Sequence, residues 1–342
     1  MFKVKVENLK QLEIVLSSKN VSEIILSRYS FAEDDLTKLV NKIKKTNKLA
    51  WILMERISRY EENMKPFDLR TSTDKIFEIK NLDGIIIQNL DSFAYMLRKI
   101  NRSANQNLMI ELNYTMNCYN DVTKKVLETL YNEKRNNATE VSLLFTAPLE
   151  LNTYELSEVG YDTLILYSYI DTMVSANCLK KNLNLETGYI IGKKGTMFKS
   201  VKNQDNTTKN STCKNRFNFN KVEEFSSYII DRKGKKLYFK TYCKYCYNKI
   251  FNTDPLFLLD KIEEIKKLNI IGRDTDAKLR DTYESSRSYE TCKAHYQKGE
   301  LGATLSKYRI DFSFENEKEV KDILSMKCPE SFTRGHYKNT IK

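Results

Sequence analysis

Histidine is nearly absent from this sequence, which holds two, His295 and His336, among 342 residues. A Ser-His-Asp relay cannot be read from so few, and no His-Glu-x-x-His run is present to seat a hydrolytic zinc. Glycine is also scarce, at 10. No Gly-x-Gly-x-x-Gly follows the first apolar run, which argues against dinucleotide binding on a phosphate-cradling loop. Uninterrupted apolar stretches are short: none approaches the roughly 18 residues of a membrane-spanning helix. The start, Met1-Phe2-Lys3-Val4-Lys5, lacks the basic stretch and long apolar run of a secretory leader. A cytoplasmic protein with no membrane contact is expected.

Positive charge is present in excess, with 57 Lys and Arg against 45 Asp and Glu and a net charge of +12. That excess suits a polyanionic partner such as RNA. The abundance of Asn, Ile and Lys also fits an AT-rich coding bias that needs no such ligand. A chain of this length buries a substantial core without a structural metal. Seven cysteines without a secretory signal read as free thiols or metal ligands rather than as a disulfide framework.

Short apolar runs alternate with amphipathic stretches through the first half. Lys3 to Val6 precedes a helical pattern from Leu9 to Ser17, and Glu23 to Leu26 precedes another from Ala32 to Lys45. Further runs lie at Ala50 to Met54, Gly84 to Ile87, Leu108 to Leu112, Val141 to Phe145 and Thr163 to Tyr167, with helical connectors clearest at Leu90 to Ile100 and Asp121 to Lys134. Runs of this kind suit strands buried on both faces of a parallel sheet. With Tyr308 to Phe312 near the C-terminus, the count comes close to the eight strands of a (β/α) barrel. An α/β fold of TIM-like barrel type is expected, with a doubly wound open sheet as the alternative. One continuous domain follows: βα repeats over 1–180, an irregular cysteine-containing segment over 181–260, and 261–342 supplying a helical stretch, the last strand and a basic tail. Within it, 182–211 is polar and low in complexity and reads as a loop insertion. Arg273 to Gln297 reads as an exposed helix or helical pair.

The sharpest local pattern is Tyr242-Cys243-Lys244-Tyr245-Cys246-Tyr247-Asn248, whose Cys-x-x-Cys spacing lets two thiolates converge on one metal or cluster. A redox dithiol needs the same spacing but normally opens a helix near the start of its chain. Two more ligands complete a four-coordinate site, and Cys178 and Cys213 are the candidates because both lie upstream in the same irregular region. Four thiolates satisfy zinc and an iron–sulfur cluster alike. Cys118, just past an apolar run, reads as a small core residue; Cys292 and Cys328 stay unassigned. Substrate-binding candidates are the polar residues that follow strand runs, where a barrel places its active-site mouth: Asn89, Asn113, Glu150 and Asn152. Arg334 and His336, in the basic segment Thr333-Arg334-Gly335-His336-Tyr337-Lys338, are candidates for a phosphate or carboxylate, with an ordinary basic tail as the alternative. No catalytic residue can be named.

Several of these segments, taken in order, resemble the C-terminal barrel-and-cysteine module of clostridial-type U32 peptidase proteins: Asp83-Gly84-Ile85-Ile86-Ile87-Gln88-Asn89, Pro148-Leu149-Glu150-Leu151-Asn152, Met173-Val174-Ser175-Ala176-Asn177-Cys178, Asp231-Arg232-Lys233-Gly234, Cys243 to Asn248, and Thr333 to Tyr337. The resemblance implies a four-iron four-sulfur cluster on Cys178, Cys243 and Cys246, with Cys213 as fourth ligand if 182–211 is an insertion, and zinc as the alternative. It also implies an iron–sulfur protein taking part in the hydroxylation of tRNA or rRNA. A collagenase-like U32 protease is the alternative function, and a noncatalytic partner subunit the third. Such proteins often carry a further barrel-like half, so a second U32-type chain is a candidate partner beside RNA.

Overall fold

The structure, a computed structural model, describes residues 1–57, 74–102, 107–134, 143–175, 224–230, 234–242, 245, 247–267 and 308–337. Its frame begins with β1 (Phe2–Val6), α1 (Leu9–Ser17), β2 (Val21–Ser27), α2 (Glu33–Lys44) and β3 (Leu49–Leu53). There follow β4 (Gly84–Ile87), α3 (Leu90–Lys99), β5 (Met109–Leu112), α4 (Asp121–Lys134), β6 (Leu143–Phe145), α5 (Thr153–Val159) and β7 (Leu164–Ser168). The helices start where the sequence offers caps. Asn8 accepts from the Gln11 amide and Asn89 from the Ser92 amide. Asn152 and Glu155 form a reciprocal capping box, satisfying amides that the first turn leaves without partners. In α2, Glu33, Asp34 and Asp35 open the helix and Lys42 and Lys44 close it, matching its dipole.

Strands β1 to β6 pair in parallel in sequence order, and on the other side of β1 lie β13 (Tyr308–Asp311) and then β7. A parallel bridge between Thr146 and Thr163 joins the end of β6 to the start of β7, with Ala147 N donating to Thr163 O at 2.8 Å. The ring of eight parallel strands thus closes. Above that bridge β6 and β7 diverge, and the short β12 (Leu256–Phe257) pairs antiparallel with the upper part of β7. The expected barrel is what forms, and its eighth strand is the C-terminal run read at Tyr308 to Phe312.

Alternation along the strands separates two layers. Val4, Ile24, Ile52, Ile85 and Ile110 point outward under the helices, each at most 1 % exposed. Burying each of these side chains contributes about 1.5–3 kcal/mol. The interior is mixed. Ile25, Trp51, Leu53, Ile86 and Leu144 share it with Lys3, Glu23, Glu111, Arg309 and Asp311, all buried. Lys3 Nζ sits 3.2 Å from the centre of the Trp51 ring, and that ring lies so close over Gly84 that a Cβ there would overlap it.

A second sheet follows the seventh barrel strand, in the order β8-β11-β10-β9: β8 (Asp171–Ser175), β11 (Tyr247–Phe251), β10 (Lys236–Tyr242) and β9 (Glu224–Ile230). The described part of 181–260, expected to be irregular, is therefore largely antiparallel strand. Lysines inside β10 and β11 hide the apolar alternation. Lys240 and Lys249 are both buried, and Lys240 reaches Glu7 of the barrel rather than solvent. The chain ends its described course with α6 (Ile262–Lys267), β13 and α7 (Glu317–Leu324), the last again opened by a capping box, Asn316 with Glu319. The expected insertion at 182–211 and the helical stretch Arg273 to Gln297 lie outside the described residues.

Candidate functional site at the barrel mouth

The second sheet stands on the C-terminal end of the barrel. Glu7, directly after β1, accepts from Lys240 of β10 at 2.6 Å and from the Tyr242 hydroxyl at 3.1 Å. Tyr29, just after β2, packs edge-on against Tyr242 with ring centres 4.7 Å apart. Tyr242, Tyr245 and Tyr247 are all buried, in one cluster with Ile25, Trp51 and Leu53. From the other side Asp171, at the start of β8, receives the Tyr114 hydroxyl at 2.5 Å and pairs with Arg56. In parallel barrels this end is where functional residues gather.

The charges beneath the mouth form linked groups. At the bottom, Lys3 reaches Glu111 at 2.5 Å and Glu23 at 3.4 Å, while Thr146 donates to Glu111 at 2.6 Å. Burial would raise the Glu111 carboxyl, but Lys3 and Arg309 hold it below the ordinary value. Arg309 spans Asp311 with two bonds, 2.6 and 2.9 Å, and donates to Asn113 at 3.0 Å. Higher up, Glu7 accepts from Lys5 at 3.0 Å and Tyr29 at 3.4 Å on one oxygen, and from Lys240 and Tyr242 on the other. Against the effect of burial, Lys240, Lys5 and Lys249 lower the Glu7 carboxyl to about 2. Beside it Arg28 bridges Glu33 at 2.9 Å and Glu55 at 3.0 Å.

The candidate residues named from sequence fall into two groups. Asn113 is buried under the mouth, held between Arg309 and Gln88, to which it donates at 3.3 Å. Asn89 caps α3 and donates to the carbonyls of Glu55 and Arg56, tying the loop after β3 in place. On the rim near α5, Glu150 is exposed and Asn152 is occupied as the helix cap. Arg334 is engaged by Asp260 through both terminal nitrogens, one contact at 2.7 Å, and by the Phe257 carbonyl at 2.7 Å. Tyr337 O receives the Thr153 amide at 3.3 Å, which seats the segment of Arg334 and His336 on the start of α5. Cys118 is buried as expected of a core residue, and burial pushes its thiol up to about 11.

Cys178, Cys213, Cys243 and Cys246 lie outside the described residues, but strands that neighbour them in sequence do not. Tyr242 pairs with Tyr247, Glu224 with Tyr242, and Ser175 with Asn248. These pairings set four chain stems at one end of the second sheet. Cys243 and Cys246 belong to the connection between Tyr242 and Tyr247, and Cys178 follows Ser175 within roughly 10 Å of extended chain. Cys213 precedes Glu224 by eleven residues, a reach of roughly 40 Å at most. Among the described residues themselves, no group of three or more His, Cys, Asp and Glu is placed to hold a metal.

Sequence reasoning missed Glu7, Lys240, Lys249, Arg309 and Asp311. A signal was present: in Lys3-Val4-Lys5-Val6-Glu7 and Arg309-Ile310-Asp311-Phe312 charges alternate with apolar residues in strands otherwise buried on both sides. In a parallel barrel that period places the charges inside.

The strand pairing defines a parallel (β/α) barrel with an antiparallel sheet on its mouth. No family model matches the chain, and no curated protein matches it. Among solved structures it is similar to the U32 peptidase Mk0906, at 12 % identity and TM-score 0.35 over 50 % of this chain and 72 % of that one. It is also similar to an uncharacterized B. cereus protein, at 14 % identity and TM-score 0.31 over 51 % of this chain and 50 % of that one. No helix among the described residues is long and apolar enough to cross a membrane.

Proposed function

We propose that this chain is a U32-type iron–sulfur protein taking part in RNA hydroxylation, with Cys178, Cys213, Cys243 and Cys246 holding a four-iron four-sulfur cluster beside the barrel mouth. One observation supports it: the pairings of Ser175 with Asn248, Glu224 with Tyr242 and Tyr242 with Tyr247 set those five residues at one end of the second sheet. Cysteines 178, 243 and 246 are each within a few residues of those pairs. A four-thiolate donor set suits such a cluster. When bound, the cluster supplies one-electron chemistry; the chain's own residues bind and orient around it. The buried Tyr242, Tyr245 and Tyr247 fix the stem of the connection that carries Cys243 and Cys246 in sequence. The net charge of +12 fits an RNA partner.

The test is spectroscopic and genetic. Protein purified without oxygen is expected to be brown, with about four iron and four sulfide per chain, and Cys243→Ser to lose the colour. One zinc in a colourless protein overturns the cluster. Mass spectrometry of total RNA nucleosides from a deletion strain is expected to lack one hydroxylated nucleoside; an unchanged profile overturns the RNA role.

A further inference from the structure

Among the described residues, Lys249 is the one base at the mouth left without an acid. It lies on β11 directly opposite Lys240 on β10, is 5 % exposed, and no hydrogen bond or ion pair from the described residues reaches it. The acids around it are all taken. Glu7 has four donors on its two oxygens: Lys5, Tyr29, Lys240 and Tyr242. Asp311 is spanned by Arg309, and Asp171 is paired with Arg56. What Lys249 does touch is aromatic, with Nζ 5.0 Å from the centre of the Tyr29 ring and 6.0 Å from that of Tyr242.

We propose that Lys249 is a nucleophilic amine that forms a Schiff base with a small aldehyde or ketone carrying an anionic group. A lysine becomes nucleophilic when desolvation or a neighbouring cation disfavours its ammonium form. Both conditions hold here. Among the described residues, the groups facing Lys249 are Lys5 from β1 and Glu7 after it, Tyr29 after β2, Arg56 after β3, Asp311 from β13, and Lys240 and Tyr242 from β10. Burial, then Lys5, draws the amine well below the ordinary lysine value, with Glu7 opposing. The bases facing Lys249 outnumber the acids there, so a carboxylate or phosphate on the carbonyl compound would offset the net positive charge.

The step balances without an oxidant. The Lys249 lone pair forms the C–N bond as the carbonyl π pair moves to oxygen, which takes a proton. The nitrogen then releases a proton to give the carbinolamine; the hydroxyl takes a second proton and leaves as water while the nitrogen lone pair forms the C=N bond, and loss of the second nitrogen proton leaves the imine. Nothing in this chemistry requires the iron–sulfur site proposed above.

Glyoxylate serves as the probe, with cyanoborohydride to reduce the imine and peptide mapping to locate the carboxymethyl group. At pH 7 Lys249 is expected to be modified at least tenfold faster than any other lysine, with a rate that saturates in glyoxylate. Its rate should reach half-maximum at a pH well below 10.5. Lys249→Met, checked for cooperative unfolding, is expected to remove the fast site only. Two results overturn the proposal: Lys249 unmodified in the folded protein but modified in urea, or modified no faster than exposed lysines.

Discussion

Lys3 Nζ lies 2.5 Å from Glu111 Oε2 inside the barrel, with the two side chains 2 % and 0 % exposed. The partners come from the first and fifth strands, so the pair ties the ring across its interior. Such a pair adds little net stability relative to apolar residues of the same shape, but losing one member leaves a buried charge without its nearest partner.

Lys3→Met alone, or Glu111→Leu alone, is therefore expected to cost about 3–5 kcal/mol. The double substitution should recover much of that. Urea unfolding of the four proteins in a double-mutant cycle measures the coupling.

Gly84 is needed for a contact rather than for a turn, since the Trp51 ring occupies the space a Cβ would take. Gly84→Ala is expected to destabilise by about 1–3 kcal/mol through overpacking. Smaller Trp51→Phe should relieve part of the loss in the double variant, read from thermal unfolding.

Glu7 sets an acid limit on the mouth. Its carboxyl falls from 4.5 to about 2 because Lys240, Lys5 and Lys249 outweigh the effect of burial. A lowered carboxyl contributes stability that is complete above the unfolded value and is lost as pH falls through the folded one. Stability should thus decline between about pH 5 and pH 2, by an amount of order 3 kcal/mol. Glu7→Gln should be less stable at pH 7 and show a flatter decline over that range.

Cys118 and Cys328 should separate by reactivity. Burial raises the Cys118 thiol to about 11, whereas Cys328 is exposed. The thiolate is the reactive form, so iodoacetamide at pH 8 is expected to label Cys328 within minutes and to leave Cys118 intact until the protein is unfolded. Peptide mass spectrometry reads both sites.

Much of the barrel was legible in the sequence. Helices at Leu9–Ser17 and Asp121–Lys134 begin and end where their apolar period does, and β1 to β7 fall on the apolar runs. Local backbone preference and burial on both faces mark such elements without reference to the rest of the chain. The candidate site was less legible. Asn113 can be named as a candidate because it follows a strand, whereas Glu7 and Lys249 cannot, because a charge beside or inside a strand signals solvent until its partner is known.

The sequence alone determined that this is a parallel α/β chain with a Cys-x-x-Cys pair and an excess of bases, since period, spacing and composition are properties of neighbours along the chain. Only the tertiary structure decided that β13 inserts between β7 and β1, that Thr146 meets Thr163 to close the ring, and that Ser175, Glu224, Tyr242 and Tyr247 share one end of a second sheet. Those are pairings between distant residues. They depend on which surfaces fit when the core collapses, and the same collapse leaves Lys249 buried at the mouth with the nearby acids among the described residues already taken.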